Sequence, residues 1–117
     1  MKTETYASLH NHTDYSNLKL IDSINKVEDL IDYAYELGLK AVAITDHECL
    51  TAHVRALNYY NSKYADKKDE FKLILGNEIY VTKEGLCAET HETGEKFYHM
   101  ILLAKDEIGR ASCRERV

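Results

Sequence analysis

His10-Asn11-His12 sets two imidazoles one residue apart at the end of an apolar, tyrosine-bearing run. In an extended strand successive side chains alternate between faces, so His10 and His12 project to the same side and can chelate a metal. Other residues of ligand type sit beside short β-prone runs. Thr45-Asp46-His47 follows Ala41-Val42-Ala43-Ile44, Glu78 follows Leu73-Ile74-Leu75-Gly76, and His99 precedes Met100-Ile101-Leu102-Leu103. A parallel α/β sheet or barrel gathers catalytic groups from distant sequence in this way, at the ends of its strands.

Imidazole, carboxylate and water together suit Zn, Mn or Fe better than Ca or Mg. Several such metals held close together lower the pKa of water and neutralise a phosphoryl oxygen, the basis of metal-assisted phosphoester hydrolysis. The candidate ligands are His10, His12, His47, Glu78 and His99, with Asp22 as a sixth. Asp14, two residues beyond His12, competes with Asp22 and would share the His12 face if the strand continued that far. Asp46 reads as a carboxylate that orients a ligating imidazole by accepting its other N–H. Each has an ordinary structural alternative: Asp46-His47 as a helix cap, Glu78 as a hairpin charge, His99 as a half-buried strand residue. Their joint placement around apolar strands favours the site. His53 reads as helix surface or interface, His91 as a solvent-facing loop residue and Cys87 as a weaker loop candidate for metal.

The elements that must position these groups follow from periodicity. Tyr6 to Thr13 reads as strand one. Val27, Leu30, Ile31, Ala34 and Leu37 recur at helical spacing within Lys26 to Leu39, with Asn25 as N-cap and Gly38 as terminator. Lys40 to Thr45 is an all-apolar strand suited to burial on both faces. Leu50 to Tyr64 is a second helix burying Ala52, Leu57 and Tyr60, and Phe71 to Val81 a third strand bent at Gly76. Lys83 to Lys96 is a polar loop or hairpin insertion, and Phe97 to Ala104 a fourth strand. The order predicts an α/β domain with mainly parallel strands.

With 117 residues and 44% apolar content the chain is one small domain. Fifteen basic against 20 acidic residues give a net charge of −5, the wrong sign for binding nucleic acid through the overall field. Cys49, Cys87 and Cys113 form no CxxC pattern, which suits a reduced, cytoplasmic chain. No secretion signal and no membrane-length apolar run is present. The tail from Arg110 to Val117 holds three arginines, whereas Arg55 is the only one before it, so residues 110–117 read as a non-native or read-through tail.

Leu9-His10-Asn11-His12-Thr13-Asp14-Tyr15-Ser16, Ala43-Ile44-Thr45-Asp46-His47, Gly76-Asn77-Glu78-Ile79-Tyr80-Val81 and Tyr98-His99-Met100-Ile101-Leu102-Leu103-Ala104-Lys105 together resemble the polymerase and histidinol phosphatase (PHP) domain. The last two segments resemble the branch at the N-terminus of the bacterial DNA polymerase III alpha subunit. The resemblance implies the first half of a distorted (β/α)7 TIM-like barrel over residues 1–109, with up to three metals held by His10, His12, Asp22, His47, Glu78 and His99. It implies catalysis through those metals, either phosphodiester hydrolysis of the 3′–5′ exonuclease kind or structural support of DNA synthesis. The implied partners are a DNA primer-template, reached through other domains of a parent polymerase, and other replicase subunits, with no membrane. Alternatives are a stand-alone phosphoesterase of histidinol-phosphatase type or a non-catalytic metal-bound scaffold. Because a barrel needs ~200 residues or more, four strands leave a sheet edge and an apolar helix-packing face open. The chain is therefore expected to be a fragment, inactive and poorly ordered by itself.

Overall fold

The computed structural model describes residues 6–18, 21–81 and 98–106. His91, Cys87, the 83–96 loop and the 110–117 tail lie outside them. The described chain runs β1 (Ala7–Ser8), α1 (Val27–Glu36), β2 (Ala41–Ile44), α2 (Ala52–Lys63), β3 (Lys72–Val81) and β4 (Tyr98–Leu103), with 3₁₀ turns at Asp14–Leu18 and Ala65–Lys67. These strands form one sheet in the order β1-β2-β3-β4. The first three are parallel, Ala41 facing Ala7 on one side and Lys72 on the other.

β4 departs from a strict βα repeat, pairing antiparallel to β3 from Gly76↔Leu103 to Val81↔Tyr98. Antiparallel neighbours need no crossover helix. Gly76 is where β3 changes partner, from β2 to β4. A Cβ there would meet the Leu102 carbonyl oxygen at 2.3 Å, so only glycine permits this approach.

Strand one is shorter than its sequence suggests. Past Ser8 the ladder gives way to side-chain bonds: Asn11 Nδ2 donates to the carbonyls of Ser8 (3.1 Å) and Ala43 (3.0 Å). Thr45 then donates its amide to Asn11 O and accepts the Asn11 amide on Oγ1. The histidine-bearing segment is thus tied to the end of β2 without being a strand.

The core joins Val27, Ile31 and Ala34 of α1, Val42 and Ile44 of β2, Ala52, Ala56 and Tyr60 of α2, and Tyr64 and Phe71. Ala41 and Ala43, on the other face of β2, are also buried. Asn25 is not the N-cap of α1. Lys26 holds that position, while the Asn25 amide donates to His12 O (3.1 Å) and so braces the loop. Gly38 does end the helix, in a left-handed conformation (φ 77°). Leu57 is only half-buried, and Leu37 is exposed on a groove beside β1 that also takes Tyr6, Tyr33, Leu39 and Val42. No helix among the described residues is long and apolar enough to cross a membrane.

A polar clasp joins the two helices. Asp32 of α1 accepts from the hydroxyls of Tyr59 and Tyr64 (both 2.6 Å) and pairs with Lys63 (3.0 Å). Burial alone would raise the Asp32 carboxyl, but these donors outweigh it and hold the group below its ordinary value. A carboxyl depressed in the folded state contributes stability at neutral pH that is lost as pH falls through its folded value. Asp32→Asn, which cannot titrate, should flatten the acid limb of the stability profile and cost about 1 kcal/mol at neutral pH. Amide exchange of α1 and α2 across the acid range measures both effects.

Candidate metal centre

Glu78 is the hub. It lies on β3 and is 3% exposed, and four imidazoles from three segments of the chain reach its carboxylate. Oε2 stands 3.2 Å from His10 Nε2, 2.5 Å from His12 Nε2 and 3.4 Å from His47 Nε2; Oε1 stands 2.8 Å from His99 Nδ1. Burial would raise the Glu78 carboxyl. Hydrogen bonds from His99, His10 and His12 and the charge of His47 prevail, and hold it below the usual carboxylate range.

Asp22 closes the far side. Its Oδ2 lies 2.9 Å from His12 Nδ1 and 3.2 Å from His47 Nε2. Asn17 holds the Asp22 loop by accepting the backbone amides of Asp22 (3.0 Å) and Ser23 (3.1 Å) on Oδ1. The ligand atoms fall into three overlapping groups: His10, His12 and Glu78; His12, Asp22 and His47; His47, Glu78 and His99. All six residues singled out as ligands by their sequence positions are brought together.

The donor set fits a divalent cation. Donor atoms about 2.0–2.1 Å from a tetrahedral ion stand roughly 3.3–3.4 Å from one another. His10 Nε2 and His12 Nε2 are 3.3 Å apart, and the His10–Glu78, His47–Glu78 and His47–Asp22 separations fall between 3.2 and 3.4 Å. By contrast, His12–Glu78 (2.5 Å), His12–Asp22 (2.9 Å) and His99–Glu78 (2.8 Å) stand at direct hydrogen-bond length and would have to open by several tenths of an ångström around an ion. Without an ion, the Nε2 atoms of His10 and His12 converge on one oxygen of Glu78 while facing each other. A shared cation would let each of these nitrogen and oxygen atoms offer a lone pair.

Asp14 is not part of this group. It begins the 3₁₀ turn, where Oδ2 pairs with Lys26 Nζ at 2.7 Å. Asp46 is nearby but acts differently from the sequence expectation. Its buried carboxylate accepts the Thr13 amide (2.5 Å), the Thr13 hydroxyl (2.8 Å) and the Ser16 hydroxyl (3.1 Å) rather than an imidazole N–H. Ser16 Oγ in turn accepts the His47 amide (3.0 Å). Asp46 therefore clamps the turn after His12 to the segment carrying His47, and His47 Nδ1 stays buried with no hydrogen-bond partner among the described residues. Burial pushes the Asp46 carboxyl up, against the pull of those donors and of the His12 charge.

The sequence reading missed Tyr80 and misplaced His53. Tyr80 lies on the same face of β3 as Glu78, stacked on His47 (centroids 6.1 Å) and edge-on to His99 (4.7 Å), so its ring walls two ligands. Strand alternation from Glu78 would have found it. His53 is buried on α2, not on the surface.

Residues 8–113 match the family model of the PHP domain. The chain belongs to the PHP domain family. It is 40% identical over 109 residues to a DNA-directed DNA polymerase of Bacillus phage SPbeta, covering 90% of this chain and 8% of that protein. It is 35% identical over 105 residues to the DNA polymerase III subunit alpha of Borreliella burgdorferi, covering 89% and 8% respectively. The chain thus spans 8% of the length of these curated relatives. The fold matches that of a Bifidobacterium adolescentis protein described as a metal-dependent phosphoesterase, with TM-score 0.62 and 22% identity, over 97% of this chain and 33% of that one. Its curled four-stranded sheet is accordingly part of the TIM-like PHP fold.

Proposed function

We propose that this chain is the N-terminal part of the PHP domain of a bacterial replicative DNA polymerase alpha subunit, acting in the cytoplasm on the 3′ end of a DNA primer. We take residues 1–109 as the domain portion and 110–117 as a tail foreign to it, on the arginine content of that tail, although the family match runs on to residue 113. The observation that carries the reading is the sharing of one buried carboxylate, Glu78, by His10, His12, His47 and His99. The chemistry of such a cluster suits phosphoester processing, and membership of the PHP family supports that reading. DNA template and replicase subunits are reached through other parts of the parent, since the acidic balance of this chain gives no general attraction for phosphate.

His10, His12 and Glu78 would hold one ion, and Asp22 and His99 extend the same set on either side through His47. Bound there, divalent Zn, Mn or Fe supplies Lewis acidity for a phosphoryl oxygen and acidifies water. The chain's own residues do the rest. Asn11 and Thr45 fix the loop bearing His10 and His12, Asp46 and Ser16 fix His47, and β3 presents Glu78 with both oxygens engaged. Glu78 also offsets the positive charge that several ions would concentrate in one place.

The test is hydrolysis of a mispaired primer by the full-length protein that carries this chain, with and without added Mn²⁺ or Zn²⁺. Metal-dependent release of nucleoside 5′-monophosphate, reduced about tenfold or more in His12→Ala with nucleotide incorporation unchanged, is expected. Unchanged release in that variant sinks the proposed site. Release of inorganic phosphate from a small phosphomonoester alone would favour the phosphatase, and stoichiometric metal with no hydrolysis would favour the scaffold.

A further inference from the structure

We propose that His53 is a positioning residue of the metal centre, fixing the β3 backbone two residues before Glu78; the proposal rests on the metal-binding reading of the cluster. His53 sits in the first turn of α2, is 4% exposed, and its Nε2 lies 2.8 Å from the Gly76 carbonyl oxygen. A carbonyl offers no proton, so the imidazole must carry its hydrogen on Nε2 and donate it.

The place of this bond in the sheet gives it consequence. The regular β2–β3 ladder ends at Ile44↔Leu75, and an isolated bridge, His47↔Glu78, follows. That bridge is made by the Glu78 amide donating to Asp46 O (3.1 Å) and the Glu48 amide donating to Glu78 O (2.9 Å). Gly76 falls in the gap between ladder and bridge, where β3 passes to β4. It has no side chain that packing could hold, and the Leu102 carbonyl crowds it on the β4 side. The His53 imidazole reaches the strand at this point.

His47 and His53 belong to one short stretch of chain, from the end of β2 into α2. It therefore attaches to β3 twice, at Glu78 through the bridge and at Gly76 through His53. β4 holds the other edge of β3 from Gly76 to Val81. On the β2 side these two attachments, two residues apart, set how closely the strand edge follows the His47 segment, and with it the angle at which Glu78 enters the four imidazoles. Removing the N–H leaves a buried carbonyl without this donor and lets the β2-side edge of β3 shift at Gly76, with only the bridge at Glu78 left to tie it to the His47 segment. Ligand atoms displaced by a few tenths of an ångström bind metal less tightly, and losses of about 10- to 100-fold are usual when a residue orienting a ligand is removed.

The experiment is Co²⁺ titration of the full-length protein that carries this chain and of its variants, read by visible absorption, with thermal unfolding measured alongside. His53→Leu should bind Co²⁺ about tenfold or more weakly, with an altered spectrum. His53→Gln, whose amide can donate from nearly the same place, should stay within about threefold of native. If His53→Leu does not fold, His53→Asn, with a shorter reach, serves in its place. A His53→Leu variant with native affinity and spectrum, however low its melting temperature, overturns the proposal, since a merely structural role moves only the melt. A His53→Gln variant as weak as His53→Leu overturns the hydrogen-bond account. Native full-length protein that takes up no Co²⁺ overturns the metal reading, and this inference falls with it.

Discussion

Glu78→Gln is expected to weaken divalent-metal binding on the order of 100-fold or more, the largest loss from any single exchange at this site. The reason is connectivity rather than charge alone. His10, His12, His47 and His99 are each held against this carboxylate, and Glu78 belongs to two of the three ligand groups. Glutamine keeps the volume and one carbonyl acceptor but replaces the other oxygen with an amide that cannot ligate a cation. The buried position is filled and the backbone bridge to His47 is untouched, so the fold should survive. Removal of His99, which is half exposed and belongs to one group, should cost far less. Isothermal titration with Zn²⁺ or Mn²⁺ against native protein measures the difference. A Glu78→Gln variant binding within a few-fold of native would mean that the carboxylate is an ion-pair partner of the histidines and not a ligand.

The parts legible in the sequence are those governed by periodicity. Val27, Ile31 and Ala34 recur at helical spacing and are the buried face of α1; the all-apolar run Ala41–Ile44 is buried on both faces. That the six candidate residues would meet was legible because strand ends converge in α/β folds, whatever the local conformation. His10 and His12 illustrate the limit. Strand alternation put them on one side, and they do meet, but through a loop pinned by the Asn11 amide rather than through a strand. Asp46 was harder. Its partners are hydroxyls at Thr13 and Ser16, more than 29 residues away, and only tertiary folding selects them over a nearby imidazole. His53 carried a signal that went unused: with Ala56 and Tyr60 it forms an i, i+3, i+7 face, which the structure buries. That placement marks it as packed against the sheet, though not which atom it holds.

Asp46→Ala should cost about 3 kcal/mol of stability in the region that carries the site, without removing a single proposed ligand. Truncation leaves the Thr13 amide and the Thr13 and Ser16 hydroxyls as buried donors without their shared acceptor. Ser16 also loses the anchor through which it accepts the His47 amide, so the His12 turn and the His47 segment separate together. Asp46→Asn should be milder, about 1–2 kcal/mol, because its carbonyl oxygen can still take the Thr13 amide while its NH₂ faces a hydroxyl that can rotate. Amide exchange at residues 11–16 and 45–49 of the full-length protein, native against variant, gives the local opening free energy directly. The contrast with Glu78→Gln is the informative part. There metal affinity falls while exchange protection holds; here protection falls first, and affinity follows because the ligands are no longer held in register. Native protection in Asp46→Ala would mean that the clamp is not what joins these two segments, and that Asn11 and Thr45 bear that role alone.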